Sequence, residues 1–142
     1  MKTKISGKQT YNFTEVKEFE VVDTDGHSMS LRKAEGVNNS SGQSAFMNEA
    51  KMINISFDDL VMGNGPHEGY NTMEKNGDTG VSRWSGKIKT VMQDDSPVTT
   101  FEGTFKFVYG TGAFKNLTGG GGTYTGHFTS ETSYEVDWEG EY

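Results

Sequence analysis

Ser133-Tyr134-Glu135-Val136-Asp137-Trp138-Glu139-Gly140-Glu141-Tyr142 closes the chain. At period two it splits into Tyr134, Val136, Trp138, Gly140 and Tyr142 on one side, and Ser133, Glu135, Asp137, Glu139 and Glu141 on the other. A helix would scatter both sets around its axis, whereas a pleated strand places them on opposite faces. The segment is therefore a predicted strand with one face for a core and one for water. The pattern recurs upstream. Val98–Tyr109 sets Phe101, Gly103, Phe105, Phe107 and Tyr109 against Thr100, Glu102, Thr104 and Lys106. Ser82–Met92 sets Trp84, Gly86, Ile88 and Met92 against Arg83, Ser85, Lys87 and Lys89, and Gly122–Thr129 sets Tyr124, Gly126 and Phe128 against Thr123, Thr125 and His127.

The N-terminal half is less regular. Ile5, Gly7, Gln9, Tyr11 and Phe13 form one face of a first strand, and Met29 and Leu31 mark a second. A third is expected from about Phe46 to Phe57 and a fourth near Glu68–Glu74. Asn38–Gln43, Met62–Pro66 and Gln93–Pro97 have loop composition, Asn76-Gly77-Asp78 is a hairpin turn, and residues 111–117 suit a short helical turn. Neither a linker nor an internal repeat divides residues 1–142, so one domain is expected. About eight strands, each polar on one side, can form a sandwich or a closed antiparallel up-and-down β-barrel with a central apolar cavity. The barrel is favoured because closure removes exposed edges. In addition, Gly7, Gly86, Gly103, Gly126 and Gly140 fall on the aromatic faces, where they permit coiling and keep the interior from being overfilled.

Composition narrows the function classes. Only 32% of the 142 residues are hydrophobic, so the core rests on nine Phe, six Tyr and two Trp. A net charge of −7 argues against a nucleic-acid partner and against an anionic membrane surface. The absence of cysteine removes disulfides, Cys-ligated zinc and thiol nucleophiles. No apolar run suits a membrane span or a signal h-region, and the expected location is cytoplasmic. His27, His67 and His127 lack metal-ligand spacing and are expected to be solvated, so no metal is expected. The Gly119–Gly122 run lacks the Lys and Ser/Thr of a phosphate loop, and no G-x-S-x-G elbow is present. No cofactor is expected.

Phe101-Glu102-Gly103-Thr104-Phe105, followed by Gly110-Thr111-Gly112-Ala113-Phe114 and by Gly119–Thr125, resembles the allene-oxide-cyclase-like barrels and their plant dirigent relatives. The shared pattern is a strand with G-x-G-x-F, a short turn, and G-x-G-x-Y opening the next strand, here drawn out as Gly119-Gly120-Gly121-Gly122-Thr123-Tyr124. Val136-Asp137-Trp138-Glu139-Gly140 is similar to uncharacterised bacterial barrels of that type. The resemblance spans the last third to half of the chain. It implies an antiparallel barrel of about eight strands, often oligomeric, with an apolar cavity in which hydrophobic intermediates are cyclised or coupled, chiefly by shaping them. It transfers no catalytic residue, and a shared fold hosts unrelated functions.

Polar groups on faces that otherwise suit a core are the functional candidates. Gln9 lies between Gly7 and Tyr11, and Tyr11, Tyr70, Tyr124 and Tyr134 each bring a hydroxyl that needs a partner when buried. That partner is a ligand oxygen, a neighbouring side chain or water. Glu49 and Lys51 share a face with Met47, Ile53, Ile55 and Phe57; facing inward they suit acid–base work, and at the mouth they reach water. His67 and Tyr70 follow the Gly63-Asn64-Gly65-Pro66 loop, where a barrel mouth is expected. The expectation is a small apolar ligand held by Trp84, Phe105, Trp138, Tyr11, Tyr134, Gln9 and His67, with Tyr70, Tyr124 and Glu49 as catalytic candidates for cyclisation or isomerisation. A non-catalytic carrier and a filled structural barrel are the alternatives, and a homo-oligomer is open to all three.

Overall fold

A computed structural model describes residues 2–142. Eight strands follow in chain order: β1 (Lys4–Glu20), β2 (His27–Asn39), β3 (Ala50–Val61), β4 (Gly65–Lys75), β5 (Asp78–Gln93), β6 (Ser96–Gly110), β7 (Gly121–Phe128) and β8 (Ser133–Glu141). Each pairs antiparallel with the next, and β8 pairs back onto β1 from Lys4–Glu141 to Asn12–Ser133. The expected up-and-down barrel is the observed fold. Closure gives the strands a ladder partner on both sides and leaves no free edge in the wall. No described helix is long and apolar enough to cross a membrane, which leaves strands out of consideration.

Local chemistry sets the turns. Asn76 and Gly77 have φ of 53° and 86°, and Asp94 and Asp95 have 50° and 65°. Two left-handed residues in succession make the turn whose twist matches that of the flanking strands, and Asn, Asp and Gly tolerate it best.

The barrel wall is built on one repeated device. Across adjacent strands, Tyr11 faces Gly36, Trp138 faces Gly7, Trp84 faces Gly69, Tyr124 faces Gly103, Phe101 faces Gly126, and Phe105 faces Gly122. Each of these six inward rings thus has a glycine opposite it, whereas Tyr134 faces Tyr11 and Phe128. A methyl group on Gly69 would come within 2.7 Å of a Trp84 ring carbon, and one on Gly126 would run into the Phe101 ring.

One end of the barrel is closed. Two 3-10 segments, Gly42–Met47 and Gly112–Leu117, cap the β2–β3 and β6–β7 connections and bury Met47, Phe114 and Leu117. Phe46 packs on Phe114 and Tyr142, with ring centroids 6.1 and 6.4 Å apart. The second segment is the expected helical turn. The first replaces what the sequence suggested as loop and strand start, and β2 continues through Asn38 into it.

Some faces differ from expectation. In β3, Ala50, Met52, Asn54, Asp58 and Leu60 are buried, while Ile55 and Phe57 are exposed. The apolar alternation was real, but it belongs to the outside, where Phe57 pairs with Leu31 and Ile55 with Tyr70. Tyr109 is likewise exposed, because a register shift between Val81 and Ser82 inserts Val108 and reverses the phase of β6 beyond Phe107. Met92 lies on the hairpin where β5 and β6 project past the barrel, and is exposed.

The ring-over-glycine device predicts the effect of Gly103→Ala. Its new methyl would meet the Tyr124 hydroxyl and the Ser85 carbonyl. The variant is expected to lose about 1–3 kcal/mol in denaturant unfolding, as overpacking does. Glu102→Gln, one residue away on the exposed face, is expected to stay within about 0.5 kcal/mol of the parent.

Candidate functional site

The inward faces do not fill the barrel. A cavity of about 90 Å³ remains, and it is partly open. That is room for several waters or a ring-sized molecule. The walls are mostly apolar: Phe13, Phe101, Phe105, Phe107 and Phe128, with Trp84, Trp138, Met52, Met73 and Ile88. Because the 3-10 segments plug one end, the accessible end is where Phe13, Arg32, Asp58, His67, Phe101 and Phe128 sit.

Towards the plugged end, the polar side chains largely satisfy one another. Trp138 donates its indole N–H to Asn38 Oδ1 at 2.8 Å, and the Asn38 amide donates to Ser40 Oγ and the Met47 carbonyl. Trp84 donates to Asn54 Oδ1 at 2.9 Å, and Asn54 Nδ2 donates to the Tyr134 hydroxyl at 2.7 Å. The Tyr11 hydroxyl lies 2.6 Å from Gln9 Oε1 and 3.0 Å from Asn71 Oδ1. Tyr11 also stacks on Tyr134, with centroids 4.8 Å apart. Burial pushes both phenols above their ordinary pKa, so they remain protonated.

The accessible end is different. Ser30, Asp58 and His67 are cross-strand neighbours in a row over β2, β3 and β4. His67 Nε2 lies 3.0 Å from the Tyr124 hydroxyl, which reaches it across Gly103 and Gly86. Trp84 and Phe101 meet the imidazole at its edges, with centroids 4.7 and 5.6 Å away. Burial among these rings lowers the His67 pKa to about 4, and the same cause raises that of Tyr124. The pair is a neutral imidazole beside a neutral phenol. Next to it, Arg32 Nε lies 3.4 Å from Asp58 Oδ2, and Arg32 Nη2 lies 3.6 Å from Glu18 Oε2. The guanidinium also sits 5.2 Å from the Phe13 ring centroid. Burial raises the Asp58 pKa, and Arg32 pulls it back. Arg32 Nε and Asp58 Oδ1 are buried without a hydrogen-bond partner.

Of the residues singled out from sequence, Gln9, Tyr11, His67, Trp84, Phe105, Tyr124, Tyr134 and Trp138 line the cavity. Tyr70 and Glu49 do not. Tyr70 lies on the outer face, half exposed, with Arg83 6.0 Å from its ring centroid. Glu49 is exposed in the turn before β3 with φ of 64°, and Lys51 points outward. Both corrections follow from the reversed phase of β3 and its neighbour. His67, expected among the solvated histidines, is buried, whereas His127 lies exposed near Glu135 at 3.6 Å. His27 is held between Asp23 and Asp59, both at 2.5 Å, outside the cavity.

Sequence reasoning missed Arg32, Asn38, Asn54, Asp58 and Asn71. The signal for Asn54 and Asp58 was the polar half of the β3 alternation, Asn54, Ser56 and Asp58, which composition assigns to water. No protein-family model and no curated protein sequence matches this chain.

Two outcomes follow from this geometry. Asn54→Leu removes the acceptor of the Trp84 indole N–H and the donor to the Tyr134 hydroxyl, so it is expected to cost about 1–3 kcal/mol and to alter the near-ultraviolet signal of Trp84. His67 should stay neutral until the pH approaches 4, as followed by imidazole nitrogen shifts. Its folded pKa lies below its unfolded value, so its effect on stability is nil above about pH 6.5. As pH falls from there towards 4, the unfolded chain gains the proton first and stability drops by an amount on the order of 3 kcal/mol. His67→Gln is expected to lack that component of the acid slope.

Proposed function

We propose that the barrel binds a small, largely apolar molecule in its aromatic cavity and promotes isomerisation or ring closure by holding one reactive conformer and moving a proton. The observation that carries this reading is the buried neutral His67, hydrogen-bonded to Tyr124 on the wall of an unfilled cavity. A histidine is costly to desolvate, and here no opposite charge offsets the burial that lowers its pKa. Such titratable pairs concentrate in sites that handle protons.

The chemistry is limited and balanced. A ligand C–H acidified by conjugation gives its proton to the Tyr124 oxygen as Tyr124 passes its own to His67 Nε2. Reversal at a second carbon returns the proton and leaves an isomer, with no oxidant or reductant consumed. A weakly basic imidazole suits a substrate that is already acidified. The rings of Trp84, Phe101, Phe105 and Phe128 exclude water and restrict the conformer, the proximity effect. The resemblance of the Phe101–Tyr124 region to cyclising barrels points the same way.

A carrier is the second reading, and one feature favours it. The Trp84–Asn54–Tyr134 and Trp138–Asn38 groups are already paired, so that part of the wall is chemically inert.

A thermal-shift screen with terpenoids, polyenes, phenolics and fatty-acid derivatives tests binding first. A ligand at about 100 times its Kd is expected to add roughly 2.7 kcal/mol, seen as a rise of several degrees. Hits are then incubated with the protein and analysed by chromatography. Conversion that falls on the order of 100-fold or more in His67→Gln, with binding retained, supports catalysis. Binding without conversion supports the carrier, and a panel with no shift at all argues for a barrel that takes no such ligand.

A further inference from the structure

A neutral imidazole carries one proton for two nitrogens, so the partner of one nitrogen decides what the other can offer. His67 is 7% exposed, and its Nε2 lies 3.0 Å from the Tyr124 hydroxyl. That phenol keeps its proton, because burial raises its pKa, and Nε2 is the one acceptor it meets among the described residues. Nε2 therefore accepts, and the imidazole proton sits on Nδ1. Nδ1 has no hydrogen-bond partner among the described residues, yet it retains accessible surface, unlike the sealed Arg32 Nε and Asp58 Oδ1. His67 lines the cavity, so Nδ1–H is a donor that the cavity's occupant can reach.

A lone donor selects for an acceptor. An ammonium offers none. A carboxylate does, but its charge would enter without a counter-ion. Among the described residues of the lining, Arg32 is the one permanent cation, and it already lies 3.4 Å from Asp58 and 3.6 Å from Glu18. Burying an unpaired charge is costly. What remains is a neutral oxygen, and a carbonyl is the neutral group that also acidifies a neighbouring C–H. The surroundings suit a compact ring: the centroids of Trp84 and Phe101 lie 4.7 and 5.6 Å from that of the imidazole, in a cavity of about 90 Å³.

We infer that the cavity takes a small neutral ketone or aldehyde whose carbonyl oxygen accepts a hydrogen bond from His67 Nδ1–H. This deepens the proposed isomerisation and rests on it. The seat completes the proton path without creating an imidazolium. In a β,γ-unsaturated ketone, the α C–H gives its proton to Tyr124 as Tyr124 passes its own to Nε2. Nδ1 then passes its proton to the carbonyl oxygen, which becomes an enol hydroxyl as the C–H electron pair forms the new C=C bond. Return of the protons, with Tyr124 now protonating the γ carbon, restores the carbonyl and leaves the double bond conjugated with it. His67 stays neutral throughout, so its low basicity is no obstacle.

Calorimetry with ethylbenzene, acetophenone and benzoate at neutral pH tests the seat, and 3-cyclohexenone tests the proton path. Acetophenone is expected to bind about three- to tenfold more tightly than ethylbenzene, the scale of a neutral hydrogen bond, and benzoate more weakly than acetophenone. His67→Leu should keep ethylbenzene and lose the preference for acetophenone. Imidazole nitrogen shifts of the parent protein serve if that variant does not fold: Nδ1 should be the protonated nitrogen, and its shift should move with acetophenone but not with ethylbenzene. Equal affinities for the two neutral ligands, or a proton on Nε2, overturn the carbonyl seat while leaving a binding cavity. Conversion of 3-cyclohexenone to the conjugated isomer, read by ultraviolet absorbance and lost in Tyr124→Phe, supports the path. Carbonyl preference without conversion keeps the seat and overturns the path. No binding by any of the three overturns the binding role itself.

Discussion

A closed barrel of eight strands can be packed with side chains or left with a hollow, and here the choice falls to the pairing of six large inward rings with glycines on neighbouring strands. A ring facing another bulky side chain would have to stand into the lumen. A ring facing a glycine can lie along the wall, covering backbone that the missing Cβ leaves bare. Trp84 over Gly69, Tyr124 over Gly103 and Phe101 over Gly126 all take this course. The wall thereby buries its aromatic area without consuming the interior. The cavity is a consequence of how the sheet is packed, not of missing core.

That arrangement also fixes where the polar side chains meet. Rings lying along the wall carry their polar tips with them, and most tips meet an inward amide: Trp138 meets Asn38, Trp84 and Tyr134 meet Asn54, and Tyr11 meets Gln9 and Asn71. These bonds keep the buried amides from the cost of an unmade hydrogen bond. What they leave over is confined to one end. There, the imidazole of His67 has a phenol for company, and the Arg32–Asp58 pair retains an unused donor and acceptor.

The four C-terminal strands were legible because each separates its side chains cleanly: Tyr134, Val136 and Trp138 face in while Asp137 and Glu139 face out, as the alternation requires. Gln9 and Tyr11 were legible for the same reason. β3 was not, because both of its faces alternate. Ile53, Ile55 and Phe57 outweigh Asn54, Ser56 and Asp58 on any hydropathy measure, and period two alone does not say which set is inside. The tie is broken by neighbours distant in sequence. Asn54 is wanted inside by Trp84 and Tyr134, 30 and 80 residues away, and Asp58 by Arg32. Tyr70 and Glu49 were misplaced with that strand, and Asp58 was overlooked with it.

The two ends of the barrel are unequal, and the inequality gives the cavity a direction. Antiparallel topology puts the β2–β3 and β6–β7 connections at the same end. Both are longer than a hairpin needs, so each folds a 3-10 segment across the opening and buries Met47, Phe114 and Leu117 there. Among the described residues, the opposite end has the tight Asp94-Asp95 turn and no 3-10 segment. From that end inward, the lining runs from Phe13, Phe128 and the Arg32–Asp58 pair, with the His67–Tyr124 pair beside them, to the closed amide–indole layer beneath.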